Sequence, residues 1–184
     1  MLSDNARKTL LTVARRSVEA AVKGERPPTF DIQDAELSAH QGAFVTLRTG
    51  GDLRGCIGRF VADEPLWRVV QAMSFASARE DPRFVGMQLA PDELPHLHIE
   101  ISVLSPLRRI RDPMTEVELG THGIYIRRGF ASGCFLPQVA TETGWSKEEF
   151  LSHCCAGKAG MPPNAWRDPR TEVYVFTTEI IEEP

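Results

Sequence analysis

Residues 53–60 read LRGCIGRF, and they hold the side chain with the most chemical potential in the chain. Cys56 sits between Gly55 and Gly58, with Arg54 and Arg59 as the nearest cations. A thiol becomes a nucleophile or a ligand when nearby positive charge lowers its pKa. The two glycines would let a ligand or another strand lie against the backbone. The plain alternative is a small cysteine packed beneath a helix, with the glycines serving a bulge. Glu100 and His98 alternate in HLHIEISVL, so both face one side of a strand. That pair suits general acid and base work, or one corner of a metal site. On a solvated outer face it would do neither. His122 precedes Gly123 at a strand entrance, where ligands often sit, so it could move a proton or be simply structural. Arg83, after Asp81-Pro82, could clamp an anion or pair locally with Glu80 and Asp81. The stretch LRRIR, 107–111, could grip phosphates or acidic groups, or stand as a solvated loop.

Several chemistries find no support. There is no C-x-x-C, and Cys154-Cys155 is a poor chelating pair, so no metal site is expected. AGKAG, 156–160, lacks the earlier glycine and the hydroxyl residue of a phosphate loop. No dinucleotide fingerprint, nucleophile elbow or radical-cluster cysteine triplet occurs, and no cofactor is expected.

These residues need elements to position them. Leu10, Leu11, Ala14, Val18, Ala21 and Val22 recur at helical spacing, and Gly24 with Pro27-Pro28 ends the pattern. AFVTLRT alternates as a strand, Gly50-Gly51-Asp52 turns, and LRGCIGRF returns as a hairpin arm. In that arm Leu53 and Ile57 are expected to face the core, with Arg54 and Cys56 opposite. Asp63 is expected to cap a second helix with Pro65 in its first turn and Leu66, Val69, Val70, Met73 and Ala76 buried. EDPRF stops it. HLHIEISVL and HGIYIRR read as strands, Ser132-Gly133 as a turn, and CFLPQVA as a strand running into a helix. Ser146 to Glu149 fits a capping box. TEVYVFTTEII reads as one closing strand, and SPLRRIRDP as a loop at the seam between two lobes. Hairpin signals mixed with helices point to an α+β fold.

The chain has 184 residues, with 42% hydrophobic and 25% charged, enough for one domain with its own core. A net charge of −4 argues against a broad nucleic-acid footprint. No apolar run is long enough for a membrane span, and MLSDNARKTLLTVARR does not read as a secretory signal. Four cysteines without disulfide-framework spacing suggest a reducing, cytoplasmic setting.

LRGCIGRF resembles the signature L-R-G-C-I-G-T-F of the AMMECR domain family. SAREDPRF, HIEISVLSP, GTHGIYI, CFLPQVATETGW and KAGMPPNAW resemble that family's other blocks, in its order, across most of 5–181. The resemblance implies a single domain over 1–184, in two lobes with a seam near 105–113. It implies a larger antiparallel sheet flanked by helices, a smaller α/β lobe, and LRGCIGRF beside a cleft. Arg59 stands where the family usually has threonine. Bacterial and archaeal relatives are often encoded beside Memo-like and radical SAM proteins, so such a protein is the first partner to expect. Carried over by position, Arg54, Gly55, Cys56, Gly58, Arg83, Glu100 and His122 are the residues to watch. Two expectations follow. One is a small enzyme acting on an anionic metabolite, with Cys56 as nucleophile or redox thiol, His122 or Glu100 moving protons, and Arg54 and Arg83 holding the anion with Gly55 and Gly58. The other is a non-catalytic protein- or RNA-interaction module in which LRGCIGRF is structural.

Overall fold

A computed structural model describes residues 1–60 and 63–184. It is a mixed α+β structure with two antiparallel sheets flanked by helices. The chain divides into two compact units: 1–104 with 179–184, and 105–178.

The first unit opens with helix α1, Asp4–Lys23. The Ser3 hydroxyl accepts from the Ala6 N–H, and Gly24 closes the other end at φ 71°, a conformation glycine adopts without strain. Leu10, Val13, Ala14, Val18 and Ala21 form its buried stripe. Strand β1, Ala43–Thr49, turns through Gly50 and Gly51, both at positive φ, into strand β2, Asp52–Arg59. Strand β3, Leu97–Leu104, pairs with the other side of β1, and strand β8, Thr178–Glu182, completes the order β2-β1-β3-β8. Helix α2, Leu66–Arg79, packs with α1 over this sheet. Val45, Leu47, Ile57, Ile99 and Ile101 face those helices, leaving Phe44, Thr46, Cys56, Glu100 and Ser102 on the opposite face.

The second unit holds strand β4, Arg108–Ile110, helix α3, Pro113–Glu116, and strands β5, Gly123–Arg128, and β6, Ala131–Phe135. Helix α4, Pro137–Thr143, helix α5, Lys147–His153, and strand β7, Glu172–Phe176, follow. Its sheet order is β4-β7-β5-β6. The Ser146 capping box opens α5, and Phe150 and Leu151 on that helix are fully buried.

Five local expectations are corrected. Asp63 does not cap α2. The helix begins at Leu66 because the Leu66 and Trp67 N–H groups donate to the backbone carbonyls of Ala39 and Leu37, which serve in place of a side-chain cap. Leu53 does not share a face with Ile57. A bulge opposite Leu47/Arg48 pairs Leu53 with Arg48 and turns it to the Cys56 side. Ser132 and Gly133 lie in β6, paired with Arg127 and Ile126, and the turn falls at Gly129-Phe130. SPLRRIRDP contains strand β4, because Arg108–Ile110 finds partners Val175 to Val173 in β7. TEVYVFTTEII is two strands in two sheets. It breaks at Thr177, whose N–H and C=O bond Ser105 instead of continuing the ladder.

Candidate functional site

The LRGCIGRF strand is an edge strand, and the end of α2 lies against its helix-facing side. Gly55 makes that approach possible: a Cβ there would lie 2.0 Å from the Ser77 carbonyl oxygen. The Ser77 hydroxyl enters the ladder itself. It accepts from the Ile57 N–H at 3.0 Å and donates to the Val45 carbonyl at 2.9 Å, bridging two register partners. Gly58 is filled differently, because the Phe44 ring sits 2.2 Å from where its Cβ would be.

The backbone of Cys56 is held from outside the sheet. Its N–H donates to Asp81 Oδ2 at 2.8 Å, and its carbonyl accepts from the Arg83 guanidinium at 3.2 Å. Asp81 is buried at 4% exposure and takes three further bonds from Arg83, two from the guanidinium and one from the backbone. Burial works to raise the Asp81 pKa. The hydrogen bonds from the Arg83 side chain, the Cys56 N–H and the Arg83 N–H outweigh it and hold the carboxyl below its ordinary value. A carboxylate and an arginine thus dock on β2 as one unit, satisfying edge groups that water would otherwise take.

Arg54 makes a second such pair. Its guanidinium forks onto Glu93 at 2.7 and 2.8 Å and donates to the Met87 carbonyl at 3.2 Å. The Arg54 fork holds the Glu93 carboxyl down to about 2 against the opposing effect of burial, and the Ala90 N–H assists. The Arg54 and Arg83 guanidiniums both lie 5.8 Å from the centre of the Phe84 ring. Between these anchors the chain from Phe84 to Met87 stands out from the surface, with Val85 73% and Met87 62% exposed.

On the face away from the helices, Cys56, Thr46 and Glu100 form one row across β2, β1 and β3. The Thr46 hydroxyl donates to the Cys56 sulfur at 3.3 Å, and Ser102 donates to Glu100 at 3.5 Å. His98 shares that face, but its Nε2 lies 3.5 Å from Glu182 of β8.

Arg54, Gly55, Cys56, Gly58 and Arg83 are therefore gathered on one strand and its edge, with Glu100 two strands away through Thr46. His122 belongs to the second unit. There its Nδ1 accepts from the Glu118 N–H and its own N–H donates to the Glu118 carbonyl, closing a turn. Asp81, Ser77 and Glu93 carry as much of the arrangement as the motif does. Ser77 gave a faint sequence signal, a hydroxyl seven residues beyond Val70 on the buried stripe of α2. Glu93 gave none.

All four cysteines are free. Burial pushes the Cys154 and Cys155 thiols well up, so neither suits nucleophilic work. Among the described residues no group of three or more His, Cys, Asp or Glu is arranged to hold a metal ion. None of the described helices is long and apolar enough to cross a membrane.

The family model described as AMMECR1 matches residues 11–181. A protein of Nanoarchaeum equitans is 41% identical over 180 residues, covering 95% of this chain and 98% of that one. A protein of Methanopyrus kandleri is 42% identical over 166 residues, covering 86% and 77%. The crystal structure of an uncharacterized protein from Pyrococcus horikoshii superimposes with a TM-score of 0.88 at 38% identity, covering 99% of this chain and 93% of that one. On the agreement of motif blocks, fold and near full-length similarity, this chain belongs to the AMMECR1 family.

Proposed function

We propose that the protein is a docking module for a partner protein, in which LRGCIGRF is the strand that mounts the contact loop. The observation that supports this most is the fixing of Phe84–Met87. Arg54 on β2 holds the Met87 carbonyl and Glu93, Arg83 holds Asp81 and the Cys56 carbonyl, and Phe84 lies near both guanidiniums. Exposed valine and methionine side chains on a loop fixed in this way are already ordered for binding, so little entropy is lost on contact. Methionine also adapts its shape to an apolar partner.

The same bonds count against the thiol-enzyme reading. Arg54 and Arg83, the two residues an anionic metabolite would need, are each already forked onto a carboxylate. The glycines are occupied by Ser77 and Phe44 instead of a ligand. One observation favours that second reading, the Thr46 hydroxyl directed at the Cys56 sulfur on a face that also carries Glu100. The first partners to test are a Memo-like and a radical SAM protein, following the family resemblance. In titration calorimetry, Val85→Asp and Met87→Asp should each weaken binding by at least about tenfold without lowering Tm, while Cys56→Ser should not. Binding that survives both loop variants and fails with Cys56→Ser would overturn the docking reading in favour of the thiol.

A further inference from the structure

A second site stands in the other unit, where the LRRIR stretch meets the turn Ala165–Arg167. A cavity of about 680 Å³ is lined by Arg109, Arg111, Trp166, Arg167, Asp168 and Thr171, among others. That is ample for a small molecule of sugar-phosphate or nucleotide size. Its charge comes from two elements. In β4, Ile110 points into the core at 5% exposure and Arg109 before it faces the other way, while Arg111 follows in the bend just past the strand, and both arginines line the cavity. From the turn Ala165–Arg167, the Arg167 guanidinium stacks 4.4 Å above the Trp166 ring.

Three arginines face one carboxylate in this lining, and that carboxylate is already taken. Asp168 pairs with Arg170 at 2.7 Å and with Arg128 at 3.3 Å, and its pKa is held low chiefly by the Arg170 hydrogen bonds. Arg109 reaches Glu172 only at 3.4 Å, and that carboxylate is already bonded by Arg127 at 2.5 Å. Arg167 pairs with Glu148 at the surface. The Arg111 guanidinium has no carboxylate partner among the described residues. On a chain of net charge −4, this is a local concentration of positive charge.

A second, independent feature lies in the same wall. Thr171 is 7% exposed, and its hydroxyl oxygen is buried with no hydrogen-bond partner in the protein. Buried hydroxyls are almost always satisfied, and this one belongs to a residue that lines a basic cavity, so a turn of its side chain toward the cavity would satisfy it on an oxygen-rich ligand. We infer that this cavity binds a phosphorylated small molecule, its phosphate held by Arg111 and Arg109 and bonded by the Thr171 hydroxyl. Phosphate suits the set better than a single carboxylate. It offers three acceptor oxygens and up to two charges, enough for two guanidiniums and a hydroxyl together.

Calorimetric titration of the full chain with inorganic pyrophosphate and with ribose 5-phosphate tests this. Both should bind at low salt. Arg111→Gln should weaken binding by about tenfold or more. Thr171→Val should weaken it severalfold with Tm unchanged or raised, because a ligand bond is lost while an unsatisfied hydroxyl leaves the fold, and Thr171→Ser should restore affinity. Arg108→Gln, outside the lining, should leave it unchanged. Binding that is absent at about 10 mM ligand, or indifferent to Arg111→Gln in a variant that melts normally, would overturn the assignment. So would citrate binding as tightly as pyrophosphate, or a single-stranded RNA displacing it at far lower concentration.

Discussion

At the scale of single residues, the signature is explained by what touches it. Gly55 and Gly58 read in sequence as room for a ligand, a second strand or a bulge. That room is taken by the Ser77 carbonyl and the Phe44 ring, from positions 22 and 14 residues away in the chain. Nothing in the local string LRGCIGRF specifies either occupant, so spacing alone leaves the alternatives open. The obstruction at Gly55 is backbone, which cannot rotate aside. Gly55→Ala should therefore cost about 3 kcal/mol or more, read as a lowered urea midpoint or as failure to fold. Ser77→Ala should cost about 1–3 kcal/mol, because the Ile57 N–H and the Val45 carbonyl both lose their bridge. Wild-type stability in Ser77→Ala would mean that the two strands close up without the hydroxyl.

At the scale of elements, helices α1 and α2, the first hairpin and the capping box of α5 were legible because periodicity, paired glycines and Ser-x-x-Glu act locally. Strand β4 was not. Three residues with two arginines show no alternation, and only pairing with β7 makes them a strand. The segment from Asp81 to Glu93 was half hidden: a local Asp81–Arg83 pair was one of the readings, but the Arg54–Glu93 fork spans 39 residues and no local pattern marks it. Its stability should depend on acid. Asp81 and Glu93 both have pKa values lowered by folding, Glu93 to about 2. Their contribution is complete above the ordinary carboxyl range and is lost as pH falls from about 4 toward about 2. Glu93 accounts for roughly 3 kcal/mol of this at most. Unfolding midpoints measured from pH 7 to pH 3 should fall more gently in Glu93→Gln than in the wild type. Limited proteolysis at pH 7 should cut that variant sooner between 84 and 92. Parallel acid profiles would show that the Arg54 fork does not hold the loop.

At the scale of the whole molecule, the chain leaves its first unit after Leu104 and returns to it at Glu179. β8 then completes the first sheet, with Ile181 in the core, Glu179 on Arg7 at 2.7 Å, and Glu183 bonded to Arg15. TEVYVFTTEII carries no glycine or proline to mark the change of sheet, so the return was invisible in sequence. Deleting residues 178–184 should lower Tm by well over 5 °C, since one buried isoleucine alone is worth about 2–5 kcal/mol. An unchanged Tm would mean that β8 adds nothing to the sheet. The broad α+β class was legible because hairpin and helix signals are dense, while the anchoring of Phe84–Met87 and the walls of the basic cavity depend on partners distant in sequence. The most direct test of LRGCIGRF as a mounting strand is the alkylation rate of Cys56 at pH 7, read by peptide mass spectrometry. A half-buried thiol serving the fold should react more slowly in the native protein than in the urea-unfolded chain. Faster reaction in the native state would mean an activated thiolate, and would return the protein to the enzymes.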